Sequence, residues 1–154
     1  MNLRRVSVDD IELLIRLRID YLIEERGNLY PDEKEKIQEQ LHYYFPKHIS
    51  DGTFIGVIAE SNNEVMCVAY LAISEKPANP SFLTGKTGTL LNVLTYPQYR
   101  RQGIAIKVID KILDEAKRYG ISHIDLLATN EGKPLYEKIG FHVSKYTTMG
   151  ITIV

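Results

Sequence analysis

The chain has 154 residues, 44% hydrophobic and 25% charged, with a formal net charge of −1. That length suits one domain with a sizeable core, and the near-zero charge argues against a field that recruits nucleic acid or an anionic membrane. A single cysteine excludes an internal disulfide framework and fits a reducing compartment.

The N-terminal MNLRRVSVDDIELL lacks the long apolar region and cleavage site of a signal peptide. No window reaches the roughly 18 uninterrupted apolar residues of a membrane span. A soluble cytoplasmic protein of one domain, residues 1–154, is therefore expected. LRRV predicts a short strand. Ser7 and Asp10 have the spacing of a capping box, opening a helix from Asp9 to Glu25 that GNLYP ends. A second helix is expected from Asp32 to Phe45, with Pro46 ending or bending it.

TFIGVIAE reads as a strand and SNNE as a turn, since Asn62 and Asn63 tolerate left-handed backbone. EVMCVAYLAI is an almost wholly apolar strand for a sheet covered on both faces, and its Cys67 reads as a buried, inert thiol. Residues 74–87 carry two prolines and a glycine and predict a loop. TGTLLNVLTY is the next strand. IAIKVIDKILDEAKRY has the apolar period of a helix packed on a sheet, and Gly120 stops it. HIDLLA predicts a buried strand, KPLYEKIG a short helix, and FHVSKYTTMGITIV one or two closing strands. This order predicts a mixed α/β domain.

The chemistry concentrates in PQYRRQG, between strand 89–96 and helix 104–119. The first turn of a helix has unpaired N–H groups and a partial positive charge, so it holds anions. Gly103 lets backbone approach a ligand, while Arg100 and Arg101 add positive charge. A pyrophosphate suits such a turn; a solvated basic loop is the competing reading. GKT at residues 85–87 lacks the first glycine of a P-loop, because position 80 is Pro80. No G-x-G-x-x-G, G-x-S-x-G or H-E-x-x-H is present, and histidines 42, 48, 123 and 142 have no metal-ligand spacing. No metal is expected.

R-R-Q-G-I-A, residues 100–105, matches the [QR]-x-x-G-x-[GA] signature of GNAT-type N-acetyltransferases. LLNVLTYPQYRRQGIA resembles that family's fourth strand, pyrophosphate loop and helix start. ATNEGKPLYEKIGF, residues 128–141, resembles its later segment. The resemblance implies a single-domain GNAT-like fold, a mixed central sheet with helices on both faces. It implies acetyl-coenzyme A as co-substrate and a primary amine of a small molecule or peptide as acceptor, attacked directly in a ternary complex. Arg100, Arg101, Gln102, Gly103, Ile104 and Ala105 would form the pyrophosphate loop. Val93, Leu94 and Thr95 would pair with the pantetheine arm beside a bulge, and an N–H there, that of Leu94, would stabilise the oxyanion. Tyr136 would protonate the departing thiolate; the competing reading has its ring merely lining the channel.

The match thins in two places. Many relatives have an asparagine contacting the cofactor where this chain has Thr129, with Asn130 beside it. Many also have an acid on the fourth strand, whereas residues 88–96 contain none and Asn92 is their only amide. Asn92 is expected to orient substrate or water, or to satisfy bulged backbone; an amide cannot hold the proton. An acid from elsewhere, Glu25 or Glu75, or bulk water would take the proton; a solvated surface role is the competing reading for either glutamate. The acidic excess in residues 24–39 would suit a cationic amine, although a charge-rich helix face is the more usual reading, and Tyr30 with Tyr21, Tyr43 and Tyr44 could line the acceptor pocket or close cores and interfaces. Similar proteins are commonly homodimers. The alternative is a non-catalytic acyl-coenzyme A-binding regulatory or sensor module.

Overall fold

The computed structural model describes residues 1–154. Five strands form one sheet: β1 (Asn2–Arg5), β2 (Phe54–Ser61), β3 (Glu64–Glu75), β4 (Lys86–Thr95) and β5 (His123–Asp125), in spatial order β1-β2-β3-β4-β5. The first four are antiparallel, and β5 runs parallel to β4. Four helices cover it: α1 (Ile11–Arg26), α2 (Pro31–Ser50), α3 (Ile104–Arg118) and α4 (Lys133–Ile139).

β2 and β3 are buried along both faces, as their continuous apolar runs demand. On one face Leu14, Leu17, Leu41 and Phe45 from α1 and α2 pack against Phe54, Val68 and Tyr70. On the other, Ile104, Val108, Ile109 and Ile112 of α3 pack against Ile55, Val57, Cys67 and Leu71. Asn62 and Asn63 have φ of 53° and 62°, the left-handed pair of a tight hairpin. The Ser7–Asp10 capping box is present, closing a 3₁₀ turn, Val8–Asp10, that leads into α1.

Three expectations are corrected. α2 does not stop at Pro46 but runs through it to Ser50. Pro46 is exposed, while Phe45 beside it is buried against the rings of Phe54 and Tyr70, and that packing carries the helix past its lost hydrogen bond. HIDLLA is a strand only over His123–Asp125 and is not buried. The closing strands are absent: residues 141–154 carry no regular secondary structure, and from His142 onward every residue is exposed.

Candidate active site at the parting of two strands

The β4–β5 ladder holds only three pairs, Thr87 to His123, Gly88 to Ile124 and Thr89 to Asp125. β5 then ends, whereas β4 continues to Thr95. One edge of residues 90–95 therefore lies open. A bulge sits in the same stretch: Tyr70 pairs with Leu91 and Val68 with Leu94, so Asn92 and Val93 together oppose one residue of β3. Asn92 takes φ of 57°, a conformation asparagine tolerates better than most side chains.

The ladder assigns the amides around the bulge. Tyr96 N–H donates to Met66 O at 3.0 Å. By the alternation of an antiparallel pair, Leu94, opposite Val68, turns its N–H toward β3 as well. The Leu94 amide is therefore used inside the sheet, which corrects its expected role at an oxyanion. Val93 and Thr95 turn theirs to the open edge.

Beyond Thr95 the chain makes a short 3₁₀ turn, Pro97–Tyr99, and enters α3 through Arg101 and Gly103, with φ of 63° and 74°. The N–H groups of residues 101–106 donate to no backbone or side-chain acceptor in the chain. Six successive unpartnered donors at a helix N-terminus form a cradle with the geometry that suits an anion. A Cβ at Gly103 would project into open space, with no heavy atom within 4 Å. Arg100 is turned away from this cradle: its Nε donates to Thr95 O at 2.9 Å, and Nη2 pairs with Glu24 of α1. Gln102 Nε2 lies 3.5 Å from Gln98 O, and Ile104 is buried under the sheet.

Tyr136 of α4 is half-buried, its ring edge-on to Phe141 at 6.0 Å, and its hydroxyl has no hydrogen-bond partner. Burial raises its pKa, with Cys67 as a neighbour, so the phenol is protonated at neutral pH. Burial likewise pushes the Cys67 thiol up to about 11. Tyr21 of α1 reaches this region from the other face. Burial and then the Glu25 carboxylate push its pKa up to about 12, and Tyr136 lies near enough to contribute.

Arg18 was not singled out by the sequence reading. Its guanidinium donates to Asn92 Oδ1 at 3.3 Å, lies 5.8 Å from the centre of the Tyr21 ring and pairs with no carboxylate. Asn92 is 1% exposed, and its Nδ2 has no partner. A charge between buried Leu17 and Ile19, one turn beyond Leu14 on the inner face of α1, was the available signal. Asp20 was missed too: it accepts from the Tyr96 hydroxyl at 2.6 Å and ties α1 to the end of β4.

Other expected residues lie elsewhere. Thr129 Oγ1 accepts from Gly132 N–H at 3.0 Å and Thr129 O from Lys133 N–H, so this residue closes the turn that leads into α4. Asn130 is exposed beside it. Glu75 pairs with Lys86 at the far end of the β3–β4 ladder and cannot serve the bulge. Glu25 is on the site side of α1, near Tyr21. Tyr30 is 77% exposed at the start of α2, and Asp32, Glu33, Glu35 and Glu39 form a solvated face of that helix. The acids that α2 contributes to this segment therefore face solvent, while Glu24 and Glu25 belong to α1.

The sequence profile of the Acetyltransferase (GNAT) family matches residues 15–141. A predicted acetyltransferase from Clostridium acetobutylicum, crystallised with acetyl-CoA, is 32% identical, with a TM-score of 0.85 over 97% of this chain and 95% of that one. A GCN5-related N-acetyltransferase from Ralstonia eutropha JMP134 is 26% identical, with a TM-score of 0.82 over 97% of each chain. The uncharacterized N-acetyltransferase YitH of Bacillus subtilis (strain 168) is 27% identical over 96 residues, 62% of this chain and 29% of that protein. The match thus spans less than a third of that curated relative's length.

Proposed function

We propose, on the premise that this chain belongs to the Acetyltransferase (GNAT) family and draws its acetyl group from acetyl-CoA, that it acetylates a primary amine by direct attack in a ternary complex. The observation that carries the reading is the run of unpartnered amides at residues 101–106, continuous with the open edge of β4. The fit to acetyl-CoA is good at both ends. Donors with no internal acceptor and the space above Gly103 suit a diphosphate, and the free edge at Val93 and Thr95 suits the amides of a pantetheine arm. When bound, acetyl-CoA supplies an acetyl group activated as a thioester.

The chain's own residues supply the rest. The Val93 N–H, released from the ladder by the bulge, is the donor available to a carbonyl oxygen that gains negative charge, replacing Leu94 in that role. Tyr136 keeps its proton at neutral pH and has it free to give to a leaving sulfur. No acid stands on β4, so the ammonium proton leaves through water, with Glu25 beside Tyr21 the nearest expected carboxylate on α1. Asn92 accepts from Arg18 at its Oδ1 and so fixes the guanidinium at the bulge, while its own Nδ2 is buried without a partner. Arg18, a cation with no internal counter-charge, favours an acceptor that carries an anionic group as well as its amine.

The deciding experiment is release of free coenzyme A from acetyl-CoA, measured against polyamines, aminoglycosides, amino acids and peptides. Amine-dependent release, fastest with acceptors bearing a carboxylate or phosphate, is expected. Binding of acetyl-CoA with no release against any amine would favour a sensor and overturn the acetyltransferase reading.

A further inference from the structure

Arg18 stands where its helix should present carbon. α1 buries Leu14, Leu17 and Ile19 against the sheet, and Arg18 lies half-buried among them. It takes part in none of the protein's ion pairs. Its charge is felt by the phenols of Tyr21, Tyr44 and Tyr70, and the Tyr70 hydroxyl is already spent on Leu14 O at 2.8 Å. A cation partly withdrawn from water without a counter-charge costs stability. The charge this environment lacks is negative, and a bound molecule is its natural source.

The guanidinium is also held in one pose. Its Nη1 donates to Asn92 Oδ1 at 3.3 Å, and Asn92 is 1% exposed at the bulge. The amide cannot flip, because its NH₂ would then face another donor, and Nδ2 stays without a partner. Nε and Nη2 of Arg18 donate to nothing in the chain. Parallel N–H groups on that edge of a planar fork match the two oxygens of a carboxylate. A phosphate monoester carries about −1.5 to −2 charges at neutral pH and asks for more than one cation. Arg18 is the only cation in the row Leu14, Arg18, Tyr21, Glu25 of α1.

A second charge shares that row. Glu25 follows Arg18 by two helical turns, so the two lie within about 20° of one face, with Cα atoms about 10 Å apart along the axis. Tyr21 neighbours both and separates them. Its ring centre lies 5.8 Å from Arg18 Cζ, and the Glu25 carboxylate acts on its hydroxyl. The contact of Glu25 with Arg26 Nε, 3.5 Å with both side chains exposed, is weak and leaves the carboxylate exchangeable. We infer that this row reads a zwitterion: the acceptor is an amino acid whose primary amine and carboxylate stand several bonds apart, the carboxylate on Arg18 and the ammonium toward Glu25. An α-amino acid carries both charges on one carbon and does not span the Tyr21 ring. Tyr136 lies near Tyr21, so the ammonium end is the one beside the proton donor. The inference rests on the acetyl-transfer reading and names the class of acceptor within it.

Coenzyme A release is measured with the full chain, acetyl-CoA and the unbranched ω-amino acids from glycine to aminohexanoic acid, each beside the alkylamine of equal length. In the wild type, kcat/KM should rise about tenfold or more from glycine to the best longer member, and that member should exceed its alkylamine by as much. Arg18→Met should bring amino acid and alkylamine to one value, while Arg18→Lys, which keeps the charge and loses the fork, should retain part of the gap. Glu25→Gln should raise KM for both series alike. Glycine as the best acceptor, or alkylamines matching the amino acids in the wild type, would overturn the inference without needing any variant to fold. Calorimetry supplies a readout independent of turnover. Aminohexanoic acid should bind about tenfold tighter than hexylamine, and equal binding would sink the inference. A binding gap with no coenzyme A release would leave this site standing and fail the acetyl-transfer reading alone.

Discussion

Two glycines at opposite ends of α3 allow a matched test of the anion cradle. Gly103 precedes the helix with φ of 74° and Gly120 follows it with φ of 71°, and a Cβ at either meets nothing within 4 Å. Valine at either position must adopt the left-handed region, which costs about 1–2 kcal/mol. For a chain of this size that lowers Tm by roughly 2–8 °C, and similarly in both variants. Only at Gly103 would the new side chain occupy the space above the six free amides. Hydrogen bonds to a charged group are worth about 1.5–3 kcal/mol each, so losing two raises the Kd for coenzyme A by roughly two to four orders of magnitude. Calorimetric titration of both variants, alongside thermal unfolding, is the assay. Gly103→Val should bind coenzyme A far more weakly than Gly120→Val at equal stability. Wild-type affinity in Gly103→Val would refute the cradle, and so would an equal loss in both variants, which strain alone would explain.

Tyr136→Phe should lower kcat tenfold or more while leaving coenzyme A affinity within about twofold, and an unchanged kcat would remove the proton-donor role. Arg18→Met should raise KM for an acceptor bearing a carboxylate or phosphate by tenfold or more with coenzyme A affinity held; an equal effect on acceptors lacking that group would show a structural role instead. The raised folded-state pKa values of Cys67 and Tyr21, about 11 and about 12 against ordinary values of 9.0 and 10.0, fix a sign. Each contributes stability that is fully present below its ordinary value and lost as pH rises through the folded one, so Tm should hold to about pH 9 and fall between 9 and 12. The folded Cys67 thiol should also resist alkylation at pH 8 until the chain is denatured. Pro46→Ala restores a donor to the His42 carbonyl at an exposed position. It should stabilise by about 2 kcal/mol, the helix gain less the unfolded-state term, and a lower Tm would show that the proline shapes α2 usefully.

What the sequence made legible follows from how local each signal is. The period of α3, its glycine stop, the Asn62–Asn63 hairpin and the Ser7–Asp10 box are written within a few neighbouring residues, and each formed as expected. So did the loop from Tyr96 to Gly103, whose geometry depends on a strand, a glycine and a helix in succession. The errors come from long-range contacts. Pro46 stays helical because Phe45 beside it is locked among aromatic rings from β2 and β3. The direction of the Leu94 amide depends on which residue of β3 lies opposite across the bulge. HIDLLA carries sound strand propensity but pairs with β4 over only three residues, and residues 142–154 have no strand partner within the chain. Arg18 looked like any charge on a helix until the fold set it against Asn92.

Two bonds from α1 reach the loop that begins at Tyr96: Asp20 accepts from the Tyr96 hydroxyl, and Glu24 pairs with Arg100. The same helix carries Arg18, Tyr21 and Glu25. On the function proposed above, donor and acceptor would grip two ends of one mechanical lever. A shift in the loop on loading the donor would be passed to the helix proposed to receive the acceptor, and thermodynamic reciprocity would make the converse equally strong. Cutting the Glu24–Arg100 strut would decouple the two occupancies, turning synergistic loading of the substrates into independent loading.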